Sequence, residues 1–106
     1  SSTWALVLRA SAPVTRVAAS QAAPADDGRA HESIPVSAPR ILNPDTEDWI
    51  PETWSLLDSV LAAAPLPGTD FVVVVARTAG PDYLAGEVSQ LGHLAKVCGA
   101  ILSAAD

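Results

Sequence analysis

Phe71-Val72-Val73-Val74-Val75 is the stretch on which the fold turns. Four β-branched residues in succession are stiff at χ1 and suit a pleated strand. The run carries no polar alternation, and a strand without alternation is one covered on both faces. It therefore predicts an interior strand of the kind often found in parallel sheets.

Toward the C-terminus, Thr78-Ala79-Gly80 reads as a turn, and Pro81 is suited to open a helix. Leu84, Val88, Leu91, Ala95, Cys98, Leu102 and Ala105 then recur at alternating spacings of four and three, a heptad-like apolar seam. Ala85, Gly92 and Gly99 form a second row seven residues apart, a smooth stripe beside that seam. A glycine inside a helix costs about 0.8–1 kcal/mol relative to alanine, so two of them on one stripe point to a neighbour packed very close. The neighbour is a strand, another helix or a second copy of the chain.

Working back toward the N-terminus, Pro65-Leu66-Pro67-Gly68 breaks whatever precedes it. Trp54, Leu57, Val60, Leu61 and Ala64 fall at helical spacing, which predicts a helix beginning near Pro51 and capped by Asp45 or Asp48. Ile34–Leu42 has strand-like residues interrupted by Pro35 and Pro39, so it reads as an edge strand or an extended segment. Residues 21–32 lack Leu, Ile, Val and aromatic anchors and contain Asp27-Gly28, which predicts a mobile loop. Val14–Ala18 is a weaker strand candidate, and Thr3–Arg9 (TWALVLR) a stronger one.

The whole chain has 106 residues, 49% of them hydrophobic and 17% charged, a composition of globular and not disordered chains. Its length predicts a single domain over residues 1–106. The expected fold class is a small α/β or α+β domain with a sheet of three or four strands covered by two helices. The net charge of -6, with only six Lys and Arg, argues against nucleic acid as a partner. No apolar run approaches a membrane span, and no charged-then-apolar secretion signal opens the chain, which predicts a cytoplasmic location without membrane contact. One cysteine excludes an internal disulfide framework and a multi-cysteine metal site.

Residue types that carry chemistry are few. Cys98 lies on the apolar seam and reads as a buried, unreactive thiol. Ser89, His93, Lys96 and Ser103 share a polar strip, and His93 is about 140° round the helix from Cys98, so the two make no dyad. His31 falls in the expected mobile loop. These residues predict no metal site and no cofactor. The segments 75–87 (VARTAGPDYLAGE) and 89–100 (SQLGHLAKVCGA) are faintly similar to the histidine-bearing regions of β-ketoacyl synthases. Arg77 stands where that family places its first histidine, the two segments are too close together, and no nucleophile segment precedes them. No catalytic residue is carried over from it.

Two functions of different class follow. One is a non-enzymatic interaction or assembly subunit, a homo-oligomer or the binder of another protein, packing through its C-terminal helix or its acidic, Trp-rich segment 45–54. Its candidate contact residues are Trp49, Trp54, Gly92 and Gly99. The other is a small enzyme with a pocket at the end of the 71–75 strand, built from Arg77, Thr78 and His93.

Overall fold

The valine run does lie in an interior strand, but every neighbour of that strand is antiparallel. A computed structural model of the chain describes residues 2–11, 14–24, 34–54, 59–78 and 83–105, with backbone only at 2 and 102–105. It has five strands, β1 (Ser2–Arg9), β2 (Arg16–Ala19), β3 (Arg40–Leu42), β4 (Val60–Leu66) and β5 (Phe71–Thr78), followed by one helix, α1 (Ala85–Ala105). The strands form one sheet in the order β2-β1-β5-β4-β3. All four pairings are antiparallel. The protein is thus a small α+β domain.

The expected helix near Pro51 is the main correction. Among the described residues a 3₁₀ turn forms there, Glu52–Trp54, and Val60–Leu66 is a strand. Leu57 lies outside the described residues. Alanine favours helix, yet Leu61, Ala62 and Ala63 are buried between β3 and β5 and Ala64 is buried beside β5, and tertiary placement overrides propensity. Pro65 is tolerated because β3 reaches only as far as the partners of Leu61–Ala63, so beyond them β4 is itself an edge.

Pro67-Gly68 does not stop a helix; it reverses the chain between β4 and β5. Pro67 takes the first central position of a tight turn, and Gly68 the second with φ of 79°. The Thr69 N–H donates to the Leu66 carbonyl at 3.1 Å, closing a type II turn. That turn explains the antiparallel sheet: β4 feeds β5 directly, with no crossover helix.

Strand alternation separates the two faces of the sheet. On one face Trp4, Leu6, Leu8, Val72, Val74, Ala76, Leu61, Ala63 and Leu42 are buried. Among the described residues no α-helix covers them. The irregular segment 34–54 does, contributing Ile34, Val36, Ile50 and Trp54, with Val14 beside them. The proline-interrupted stretch thus adds an edge strand and also lays two apolar side chains over the core, held by the Ile34 N–H on the Ala10 carbonyl at 2.8 Å.

On the other face lies α1, packed chiefly on β4. It runs from the Val60 end of β4, where Glu87 meets Arg77, to the Leu66 end, where Gly99 meets Pro67. Among the described residues α1 is the one helix on this face, and Val7 and Val73 on the β1 side stay partly exposed. The mobile loop expected at 21–32 falls outside the described residues from 25 onward, as do Ala79 and Gly80 of the expected turn and Pro81 after it.

Candidate functional site

The sequence singled out three groups of residues; the structure sets the tryptophans apart, and places His93 beside Gly92 in one cleft. Trp54 is buried in the first core, edge-on to Trp4 with ring centroids 6.4 Å apart and to Trp49 at 6.0 Å. Trp49 is half-buried, and its indole N–H donates to Glu47 Oε1 at 3.1 Å.

Glu47 is the hub of this acidic stretch, a role the sequence did not announce. Arg40 grips its carboxylate with both guanidinium nitrogens, Nη2 to Oε1 at 2.6 Å and Nη1 to Oε2 at 3.0 Å. The Asn43 N–H adds a bond to Oε2 at 2.8 Å. Hydrogen bonds from Arg40 hold the carboxyl down to about 2, with the Asn43 and Trp49 donors assisting and burial opposing. Where Asp45 or Asp48 was expected to cap a helix, Asn43 instead anchors a turn, its Oδ1 accepting the Asp45 N–H at 3.0 Å. The segment is a clamp on the core.

A pH dependence follows. A carboxyl whose folded value is depressed stabilises the fold fully above its ordinary value near 4.5, and the contribution is lost as pH falls through about 2. The Arg40 side chain is 36% exposed, so screening trims the effect. We expect about 1–2 kcal/mol to be lost across that window. Urea unfolding of the wild type and Glu47→Gln at about pH 5, 3 and 2 checks it. The variant should be less stable at pH 5 and show a shallower acid decline; parallel declines contradict the assignment.

Arg77 and His93 each have other neighbours. Arg77 pairs with Glu87, and its guanidinium carbon lies 4.6 Å from the Tyr83 ring centroid. Glu87 also accepts the Leu84 N–H at 3.0 Å, closing the first turn of α1 as the acid of a capping box does. That backbone bond, ahead of Arg77, lowers its carboxyl below the ordinary range, while burial raises the Tyr83 hydroxyl. This cluster fastens the end of β5 to the start of α1. His93 is exposed, in a shallow cleft of about 380 Å³ walled by Pro39, Pro65 and Pro67 with Ser89 and Lys96, and Arg77 is not among its lining residues.

Gly92 and Gly99 mark the tight contact their spacing suggested, and it is made within the chain. A Cβ on Gly92 would sit 2.7 Å from Pro39 Cγ; one on Gly99 would sit 2.5 Å from the Pro67 carbonyl oxygen. Ala95 is buried beside Ala64 and Leu66, with Leu91 and Cys98 partly buried. Leu84, first in the expected seam, is exposed, and Leu102 and Ala105 fall among the side chains not described.

Cys98 is half-buried and not enclosed. It lines an apolar groove of about 310 Å³ with Val7, Leu66, Val73, Leu94, Ala95 and Ile101. The groove lies where α1 stops covering the sheet. On its helical rim Leu94, Val97 and Ile101 are 61%, 57% and 63% exposed. Sequence reasoning missed this flank, because the glycine-flanked seam took the helix's apolar residues to one side only; Leu94, Val97 and Ile101 at spacings of three and four were its signal.

Among the described residues no group of three or more His, Cys, Asp or Glu side chains is placed to hold a metal ion. No helix among them is long and apolar enough to cross a membrane. No family model, curated protein or solved structure matches this chain.

Proposed function

We propose that this chain is a non-enzymatic interaction or assembly subunit that docks through the outer flank of α1 and the uncovered strip of sheet beside it. The observation that carries this reading is the apolar flank itself. Three large aliphatic side chains stand more than half exposed along one helix edge, next to a groove with only apolar side chains and a thiol in its lining. Contiguous apolar surface of this kind marks binding sites, whereas scattered apolar residues do not. The Trp-rich route has less to offer a partner, since Trp54 is buried and Trp49 is committed to Glu47.

The double variant Leu94→Glu/Ile101→Glu tests the reading. At exposed positions it should change unfolding free energy by no more than about 0.5 kcal/mol per site. Used as paired baits, wild type and variant should differ: a protein retained in stoichiometric amount by the wild type, its own copy included, should be lost by the variant. A variant that unfolds several kcal/mol earlier would make these residues core, and identical retention by both baits would remove the docking role.

A further inference from the structure

We infer that the proline-walled cleft beside α1 is a binding site for a small organic carboxylate with a compact apolar body. It is a site apart from the docking flank and does not depend on that reading. The cleft, of about 380 Å³, is walled by Pro39, Pro65 and Pro67, with Ser89, His93 and Lys96 along its helical side. Those three polar residues are spaced four and three apart and so share one edge of α1. Leu94 lies about 200° round the helix from Lys96, so the cleft and the apolar flank are different surfaces.

Charge selects the head of the ligand. Among the described residues the cleft's lining holds no Asp or Glu, and Lys96 supplies its one ammonium. Lys96 is the only lysine of the chain, and it takes no part in the ion pairs Arg40–Glu47 and Arg77–Glu87. No acidic residue stands three or four positions from it on the helix; those places hold Gly92, His93, Gly99 and Ala100. An ammonium, a hydroxyl and an imidazole N–H all donate, and a carboxylate only accepts, one charge against one. A phosphate dianion would add a second negative charge, with no second ammonium or guanidinium in the lining to meet it.

The walls select its body. Proline has no N–H to offer and its ring fixes φ, so three prolines make a stiff and largely apolar wall. Gly92 and Gly99 seat α1 against two of them: an added Cβ would lie 2.7 Å from Pro39 Cγ and 2.5 Å from the Pro67 carbonyl oxygen. The cleft is therefore formed before a ligand arrives, and little ordering accompanies binding. A small volume with an apolar wall and a few donors on one side suits a ring or branched alkyl group carrying one carboxylate.

NMR titration of the isotope-labelled protein with sodium benzoate, to about 50 mM at constant ionic strength, tests the site. The amide resonances of Ser89, Gly92, His93 and Lys96 should move along one saturating curve with Kd on the order of 1 mM, while those of Leu6 and Val17 stay in place. Benzamide, of the same size without the charge, should bind at least about tenfold more weakly, and so should benzoate to Lys96→Gln. Lys96 is exposed, so the variant should keep its fold. Inorganic phosphate should bind less tightly than benzoate. The absence of a saturating shift at the cleft overturns the site. Benzamide binding as well as benzoate, or Lys96→Gln binding benzoate as well as the wild type, overturns the charge pairing, and tighter binding of phosphate overturns the carboxylate.

Discussion

Gly99→Ala is expected to destabilise the protein by about 1–3 kcal/mol, although alanine is the better helix former by nearly 1 kcal/mol. The new methyl would lie 2.5 Å from the Pro67 carbonyl oxygen and 2.9 Å from the Pro67 nitrogen. Both are backbone atoms of the tight turn between β4 and β5, so relief requires the turn or the helix to move. Gly99→Leu should be worse still. Gly92 faces the ring of Pro39, a side chain in an exposed segment that can give way, so Gly92→Ala should cost less. Gly86 has nothing within 4 Å of an added Cβ, and there alanine should be neutral or stabilising by up to about 1 kcal/mol. Thermal melting of the three alanine variants should rank them in that order. A Gly99→Ala variant as stable as Gly86→Ala would show that α1 does not rest on the turn.

Trp54→Ala should cost about 3–5 kcal/mol, the range for truncating a buried aromatic side chain. Trp54 is only 4% exposed and lies edge-on to both Trp4 and Trp49, so its loss opens a cavity at the centre of the first core and leaves two rings without their neighbour. The melting temperature should fall by roughly 15–25 °C. Trp49→Ala, at a half-buried position, should cost less and act mostly by freeing one bond to Glu47. If Trp54 were instead a surface contact for a partner, its truncation would leave urea unfolding unchanged.

Both effects concern features that the sequence displayed but did not explain. The strands Thr3–Arg9 and Phe71–Val75 were legible because their apolar runs are short and bounded by turn residues; the structure extends them to β1 and β5. The last helix was legible from its long periodicity. β4 was not, because a strand apolar at every position satisfies a helical period as readily as any other, and Ala62-Ala63-Ala64 favours helix locally. What decides for strand is the pairing of Ala62 with Ile41 on one side and Val75 on the other, a contact between distant segments. The parallel arrangement failed for a related reason: with β4 unrecognised, Pro67-Gly68 looked like a helix stop and not a hairpin turn.

The candidate surface divides in the same way. Glycine spacing disclosed that α1 meets something closely, and the structure supplies Pro39 and Pro67. The exposed flank went unnoticed because a helix apolar on most sides has no single stripe to follow. Only the fold shows which apolar residues the sheet uses, Leu91, Ala95 and Cys98, and which it leaves out, Leu94, Val97 and Ile101. Cys98 was misplaced as fully buried since its neighbours in sequence are apolar, whereas its exposure depends on where the helix edge leaves the sheet.

Methyl NMR of the labelled chain, titrated with the protein that the wild-type bait retains or diluted if that protein is its own copy, tests most directly whether this flank is where the chain docks. As binding proceeds, the methyl resonances of Leu94, Val97, Ile101, Val7 and Val73 should shift together along one binding curve. Those of Leu61, Val72 and Val74, buried on the other face, should stay where they are. Unresponsive resonances along the α1 flank, or shifts confined to Ile41 and Val17 on the edge strands, would contradict the account.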